Sequence, residues 1–176
     1  IYMAWATDLL PYEIDEIKTK MPFKKNKVVH YVGTFIKEIE PFKKACNENG
    51  IRFISQHHKS MDEGRALVQE SFMAPAIVTD LQQEIDYLPC RIFKNISYGQ
   101  MGITTSKAAY ELFKGKIVYN KDAHQLFYDA IEKYKHLKLE DIFELMDFVR
   151  DNHTYINRIS DILTFMRLNY EIKNTV

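Results

Sequence analysis

Three glycines constrain this chain more than any other feature: Gly50, Gly99 and Gly115 each close a stretch of helical periodicity and stand just ahead of a short apolar run. Glycine enters the left-handed conformation that ends a helix without steric cost, so each marks a helix turning into a strand. The runs they precede, with two more, predict strands over 28–32, 51–54, 76–78, 102–104 and 116–119, rich in Val, Ile, Tyr and Phe and bounded by Gly, Asn, Asp or Ser. Helical patterns fill the intervals at 41–49, 61–72, 90–98 and 106–114. A repeated strand-helix-strand alternation requires parallel pairing, because each crossover is long enough to return the chain to the same sheet edge. The expected fold class is therefore α/β, a doubly wound, mainly parallel Rossmann-like sheet over 28–121.

From residue 122 to 176 the pattern becomes purely helical. Ala123, Leu126, Phe127, Ala130, Ile131 and Tyr134 share one face, as do Leu139, Ile142, Phe143, Met146 and Val149, and again Tyr155, Ile159, Ile162, Leu163 and Met166. Three amphipathic helices packing on the same domain are expected, with Tyr155 in the core. The opening segment, 1–27, does not follow the alternation and reads as a linker or the edge of a missing neighbour.

Charge and cysteine content narrow the function classes. Lys and Arg number 24 and Asp and Glu number 24, so the whole-chain field gives no reason to expect nucleic acid. No run of about 18 apolar residues occurs, and the N-terminus lacks the parts of a signal peptide, so no transmembrane segment and a cytoplasmic location are expected. Cys46 and Cys90 stand apart, without metal-site spacing, as reduced thiols do.

In an open parallel sheet ligands bind beyond the carboxyl ends of the strands. That rule selects the loops at 33–34, 56–60, 79–83, 104–106 and 120–122. Gly33 and Thr34 follow the first strand, where a glycine lets backbone N–H groups approach a phosphate, or simply makes a turn. Thr104, Thr105 and Ser106 lie at the end of the fourth strand and the start of a helix. His57 and His58 lack a metal-ligand pattern, and Glu84-Ile85-Asp86 is only the nearest approach to Asp-x-Asp, so no metal is expected. Arg91 and Lys94 stand three apart on one predicted helix and can reach the same anion, or can be two solvated cations. Asn95, Tyr98 and Gly99 continue that segment.

The run from Pro89 to Thr104, then Glu111-Leu112-Phe113, Tyr119-Asn120, and His153-Thr154-Tyr155 with Arg158, resembles the donor-binding C-terminal half of GT-B glycosyltransferases, in particular the spore-maturation-protein-like group. Tyr31-Val32-Gly33-Thr34 matches the opening of that half, and the resemblance spans about residues 28 to 168. It implies sugar transfer from a nucleotide-sugar such as a UDP- or GDP-sugar, of hexosyl or fucosyl type, to a glycan, protein or lipid acceptor. The donor would be held by Gly33, Thr34, Arg91, Lys94, Asn95, Tyr98, Gly99, Thr104, Thr105 and Ser106. The acceptor site and the catalytic base would belong to an N-terminal half, so no catalytic residue is assigned here. One departure stands out: Lys94 occupies the position where that group carries Glu, and a cation cannot accept a hydrogen bond from a ribose hydroxyl. A non-catalytic nucleotide-binding or interaction domain of the same fold is the alternative. For His153 the expected role is packing or capping between the last two helices, with Thr154 as N-cap and Arg158 tying down a helix or the linker.

Overall fold

The computed structural model describes residues 3–23 and 25–174, so the first two and last two residues of the expected segments lie outside it. Strand β1 (Val28–Val32) pairs in parallel with β2 (Arg52–Gln56), Val29 facing Phe53 and Tyr31 facing Ser55. Strands β3 (Pro75–Ala76), β4 (Ile103–Thr104) and β5 (Val118–Tyr119) form a second parallel sheet in that order. The fold is thus α/β with small parallel sheets, compatible with a Rossmann-like arrangement, but the one continuous sheet expected from the sequence is divided in two.

The division has local causes. The chain leading into β3 does run along the other edge of β1, where the Phe72 N–H donates to the Val28 carbonyl at 2.8 Å and the His30 N–H donates to Ser71 Oγ at 3.0 Å. Pro75 then has no N–H to continue a ladder. Farther on, side chains take over from backbone pairing: the Val78 N–H donates to Thr105 Oγ1 at 3.0 Å, and Thr104 Oγ1 donates to the Ala76 carbonyl at 2.7 Å. Strands expected to be three or four residues long are therefore two.

Helices α2 (Glu40–Glu48), α3 (Met61–Glu70), α5 (Cys90–Ser97) and α6 (Lys107–Leu112) occupy the expected intervals. Gly50, Gly99 and Gly115 all lie in the left-handed region, at φ of 70°, 88° and 75°. Two helices lie outside the expected alternation. These are α1 (Pro11–Thr19), opened by proline at its first position, and α4 (Asp80–Glu84), capped by Thr79, whose side chain accepts from the Gln82 N–H at 3.2 Å. The loop expected at 79–83 is accordingly the start of a helix.

Helix α7 (Ala123–Tyr134) packs on α2, where Phe42 and Phe127 meet edge to face at 5.7 Å, and α8 (Leu139–Asn152) packs on α5. The expected faces of α7 and α8 are buried through Leu126, Phe127, Ala130, Ile142, Met146 and Val149. The last helix, α9 (Tyr155–Asn174), departs from expectation: Tyr155, Ile159, Ile162, Leu163 and Met166 are exposed, and Tyr155 is not a core residue. Periodicity reports which face a helix can bury, and of this helix Ile162 and Phe165 line a cavity with Met3, Ala4, Leu88 and Leu112 without being buried there.

The opening segment is packed into the core. Ala6, Leu9, Ile14 and Ile17 are buried, and Thr7 bridges Thr154, its N–H donating to the His153 carbonyl at 2.9 Å. Arg158 fastens it further, donating from Nε to the Ala4 carbonyl at 2.8 Å and from Nη2 to that of Trp5 at 3.2 Å. His153 lies stacked on Phe93 at 4.6 Å with Arg158 Nη2 2.7 Å from its Nδ1, and Thr154 caps α9 by accepting from the Asn157 N–H. Among the described residues no helix is long and apolar enough to cross a membrane.

Candidate functional site

Helix α5 places its chemistry by periodicity. Ile92, Phe93 and Ile96 are fully buried, while Arg91, Lys94, Asn95 and Tyr98 recur at spacings of three and four and line one cavity. The cavity holds about 270 Å³ and lies between α5, the end of β1 at His30, Tyr31 and Val32, and the first turns of α3.

Arg91 is the centre of this crevice. Its guanidinium carbon sits 3.9 Å from the centroid of the Tyr31 ring, a cation over an aromatic face. Its Nη2 lies 2.5 Å from where a β-carbon on residue 33 would stand, and Gly33 is at φ 123°, so only glycine leaves room for the arginine in this pose. Its Nη1 is enclosed and, among the described residues, makes no hydrogen bond. A buried charged donor without an acceptor is costly, and an anion bound in the crevice would supply the acceptor. Burial pushes the Tyr31 phenol up from its ordinary value while the Arg91 charge pulls it down, so the ring stays neutral beneath the cation.

The other stripe residues are already engaged. Lys94 Nζ stands 3.7 Å from Asp8 Oδ1, and Tyr98 donates its hydroxyl to the same carboxylate at 2.7 and 2.9 Å. Burial, reinforced by the Asp8 charge, drives the Tyr98 phenol well above the usual tyrosine range, so it stays a donor. Asn95 donates to the Ala74 carbonyl at 2.9 Å. Of the four, Arg91 alone has a buried side-chain nitrogen without a hydrogen-bond partner among the described residues.

Several residues expected at the donor site have other roles. Gly33 donates its N–H to the Gln56 carbonyl at 2.9 Å, so it seats Arg91 instead of offering an amide to phosphate. Thr34 is exposed and outside the cavity lining. Gly99 lies against Phe23 at the far end of α5. Thr104 and Thr105 are buried in the side-chain bonds that rivet β3 to β4, and Ser106 caps α6, accepting from the Ala109 N–H at 3.2 Å and donating to the Tyr87 carbonyl at 2.7 Å. The structure therefore brings Arg91, Lys94, Asn95 and Tyr98 together, with Gly33 behind them, and leaves the 104–106 group outside the crevice.

Positive charge nonetheless surrounds the opening. Lys59 lines it from the loop before α3 and Arg65 from α3 itself, Arg65 holding Asp62 at 2.7 Å. The first turn of α3 is closed by its own capping box, in which Ser60 Oγ accepts from the Glu63 N–H and the Glu63 carboxylate accepts from Ser60; these bonds hold the Glu63 carboxyl below its ordinary value. His30 is kept below its usual range mainly by burial, and its Nδ1 lies 3.3 Å from Gln56 Nε2.

Two residues that shape the site were assigned no role in it from the sequence. Asp8 belongs to a segment outside the strand-helix alternation and meets Tyr98 across 90 positions. Tyr31 was visible as a strand residue and as the first of the Tyr31-Val32-Gly33-Thr34 run, with no role of its own, although a tyrosine two before a glycine at a strand end is the arrangement that seats the arginine. Neither a family model, nor a curated protein, nor a solved structure matches the chain.

Proposed function

We propose that the chain binds the diphosphate of a nucleotide-sugar at Arg91 and forms the donor-binding part of a glycosyltransferase, the acceptor site and base belonging to a preceding GT-B half. The observation that carries the reading is the enclosed Arg91 Nη1 with no hydrogen-bond partner among the described residues, in a crevice lined also by Lys59, Arg65 and Lys94 against one carboxylate, Asp8. In sugar transfer, negative charge builds on the departing diphosphate as the anomeric carbon becomes cationic. A guanidinium already fixed by Tyr31 and Gly33 meets that charge without reorganising, in a setting where its field is weakly screened. The size of the crevice agrees: at about 270 Å³ it takes a diphosphate, and the base and sugar extend beyond it, since ligand pockets that enclose a larger molecule run from about 300 Å³ upward.

A second reading, nucleotide binding without transfer, is favoured by Lys94. It stands where the resembling group carries Glu, and its charge is taken up by Asp8. Calorimetry with UDP, GDP and their sugars tests the binding common to both. The expected result is binding of a diphosphate nucleotide that weakens roughly 30- to 150-fold in Arg91→Ala, about 2–3 kcal/mol for a charge-assisted contact. No binding by any nucleotide, or an unchanged affinity in the variant, overturns the proposal. Binding without transfer in the presence of a complete partner half selects the second reading.

A further inference from the structure

We propose that Asp8 makes the crevice select a diphosphate esterified at both ends over one that ends in a free phosphate. The inference rests on the reading of the crevice as a diphosphate site and adds what that site discriminates. Lys59, Arg65, Arg91 and Lys94 line it, and Asp8 is the one carboxylate among the lining residues. Arg65 is already met by Asp62 at 2.7 Å and Glu13 at 4.0 Å, neither of which lines the cavity. The negative charge that an incoming anion encounters is therefore that of Asp8.

Asp8 is held in place when an anion enters. Both its oxygens accept from the Tyr98 hydroxyl, at 2.7 and 2.9 Å, and its side chain is only 11% exposed. On the preceding residue, Thr7 Oγ1 lies 2.7 Å from Ser97 Oγ and accepts from the Leu9 N–H at 3.3 Å, which ties the segment to the end of α5. Lys94 is the looser partner: its Nζ stands 3.7 Å from Asp8 Oδ1, longer than a hydrogen bond, so it offsets the carboxylate only in part. Arg91, Lys94 and Tyr98 face one cavity from one helix, and a rise of about 1.5 Å per residue puts Asp8 roughly 5 to 10 Å along the crevice from Arg91. At that separation a shielded carboxylate, with Lys94 offsetting part of its charge, repels each added negative charge by about tenfold in affinity. A phosphate esterified on both sides carries one charge, whereas a terminal phosphate carries about one and a half to two at neutral pH. The nucleoside diphosphate left after transfer is thus held less well than the intact nucleotide-sugar.

Calorimetry with UDP against UDP-glucose, and with GDP against GDP-mannose, on the wild type and Asp8→Asn measures the discrimination. Asparagine keeps an oxygen for the Tyr98 hydroxyl and removes the charge. The expected result is that the substitution tightens the free diphosphate, and does so about tenfold more than it tightens the sugar ester of the same base, contacts to base and sugar cancelling in the comparison. Asp8→Ser, also uncharged, repeats the test should the first variant not fold, and Asp8→Glu, which keeps the charge, should retain the wild-type ratio. A variant that shifts both ligands by the same factor overturns the proposal. So does one that leaves the free diphosphate unchanged and weakens only the sugar ester, which would make Asp8 an acceptor for sugar hydroxyls. Failure of every nucleotide to bind, or an affinity unmoved by Arg91→Ala, is a different result: it overturns the diphosphate reading itself and this inference with it.

Discussion

Arg91 holds its charge over Tyr31 with one nitrogen enclosed and unbonded, so its demands on stability and on binding point in opposite directions. Replacing a half-buried ion whose enclosed nitrogen has no hydrogen bond with an apolar side chain of similar length removes a desolvation penalty, which outweighs the lost contact with the ring. Arg91→Met should therefore raise stability by about 1 kcal/mol in urea denaturation while weakening nucleotide binding as Arg91→Ala does. A variant less stable than wild type would mean that the cation is compensated in the unliganded protein. Gly33→Ala probes the other support of the same side chain. At φ 123° a β-carbon is strained, and it would stand 2.5 Å from Arg91 Nη2, so a loss of roughly 2 kcal/mol is expected, with weakened binding as the guanidinium is displaced. Wild-type stability in thermal melts would refute it. At this scale the sequence pointed to Arg91 and Gly33 through their place in the alternation. Their mutual contact, and the engagement of Lys94 by Asp8, depend on folding and had no local pattern.

Among the elements, helices were far more legible than strands. A helix closes its hydrogen bonds within itself, so Gly50, Gly99 and Gly115 could announce the ends of α2, α5 and α6. A strand depends on its neighbour, and the two-residue ladders of β3, β4 and β5 reflect Pro75 and the intruding hydroxyls of Thr104 and Thr105, which apolar runs do not reveal. The same hydroxyls looked like phosphate ligands because they stand at a strand end; burial shows them to be rivets. Thr104→Val keeps the shape but deletes the bond to the Ala76 carbonyl and the acceptor for the Ser106 N–H. A cost of about 1–2 kcal/mol is expected, with nucleotide affinity unchanged, because the residue holds β3 to β4 and does not line the crevice. A selective loss of affinity would return Thr104 to the site. Helix α9 teaches the converse: its apolar period was plain in the sequence, yet Tyr155, Ile159, Ile162, Leu163 and Met166 are exposed, because periodicity says which face a helix can bury and not that it is buried.

Across the whole molecule, the beginning of the chain is joined to its end at His153 and Arg158. Among the described residues these hydrogen bonds, from Thr7 to His153 and from Arg158 to Ala4 and Trp5, span the greatest distance in sequence, which is why an opening segment that reads as a linker is instead packed into the core. They also make stability depend on pH. His153 is enclosed by Phe93, Phe113 and Phe148 and faces the Arg158 guanidinium, so burial first and that charge second push it down to about 4. The neutral ring is the form that can accept from Arg158 at Nδ1, 2.7 Å away. In the unfolded chain the imidazole returns to its ordinary value near 6.5, so the contribution of His153 is intact above pH 6.5. As the pH falls the unfolded chain takes up a proton that the folded one resists, and the loss accumulates until about pH 4, where both are protonated. Roughly 2 kcal/mol should disappear over that window. Comparing unfolding free energies of the wild type and His153→Phe at intervals from pH 7.5 to 4 isolates the term, since carboxylates common to both proteins cancel in the difference. The difference should be flat above pH 6.5 and slope steadily below it. Parallel curves would mean that His153 is as readily protonated in the folded protein as in the unfolded chain, and that the joint between the two ends does not depend on a neutral imidazole.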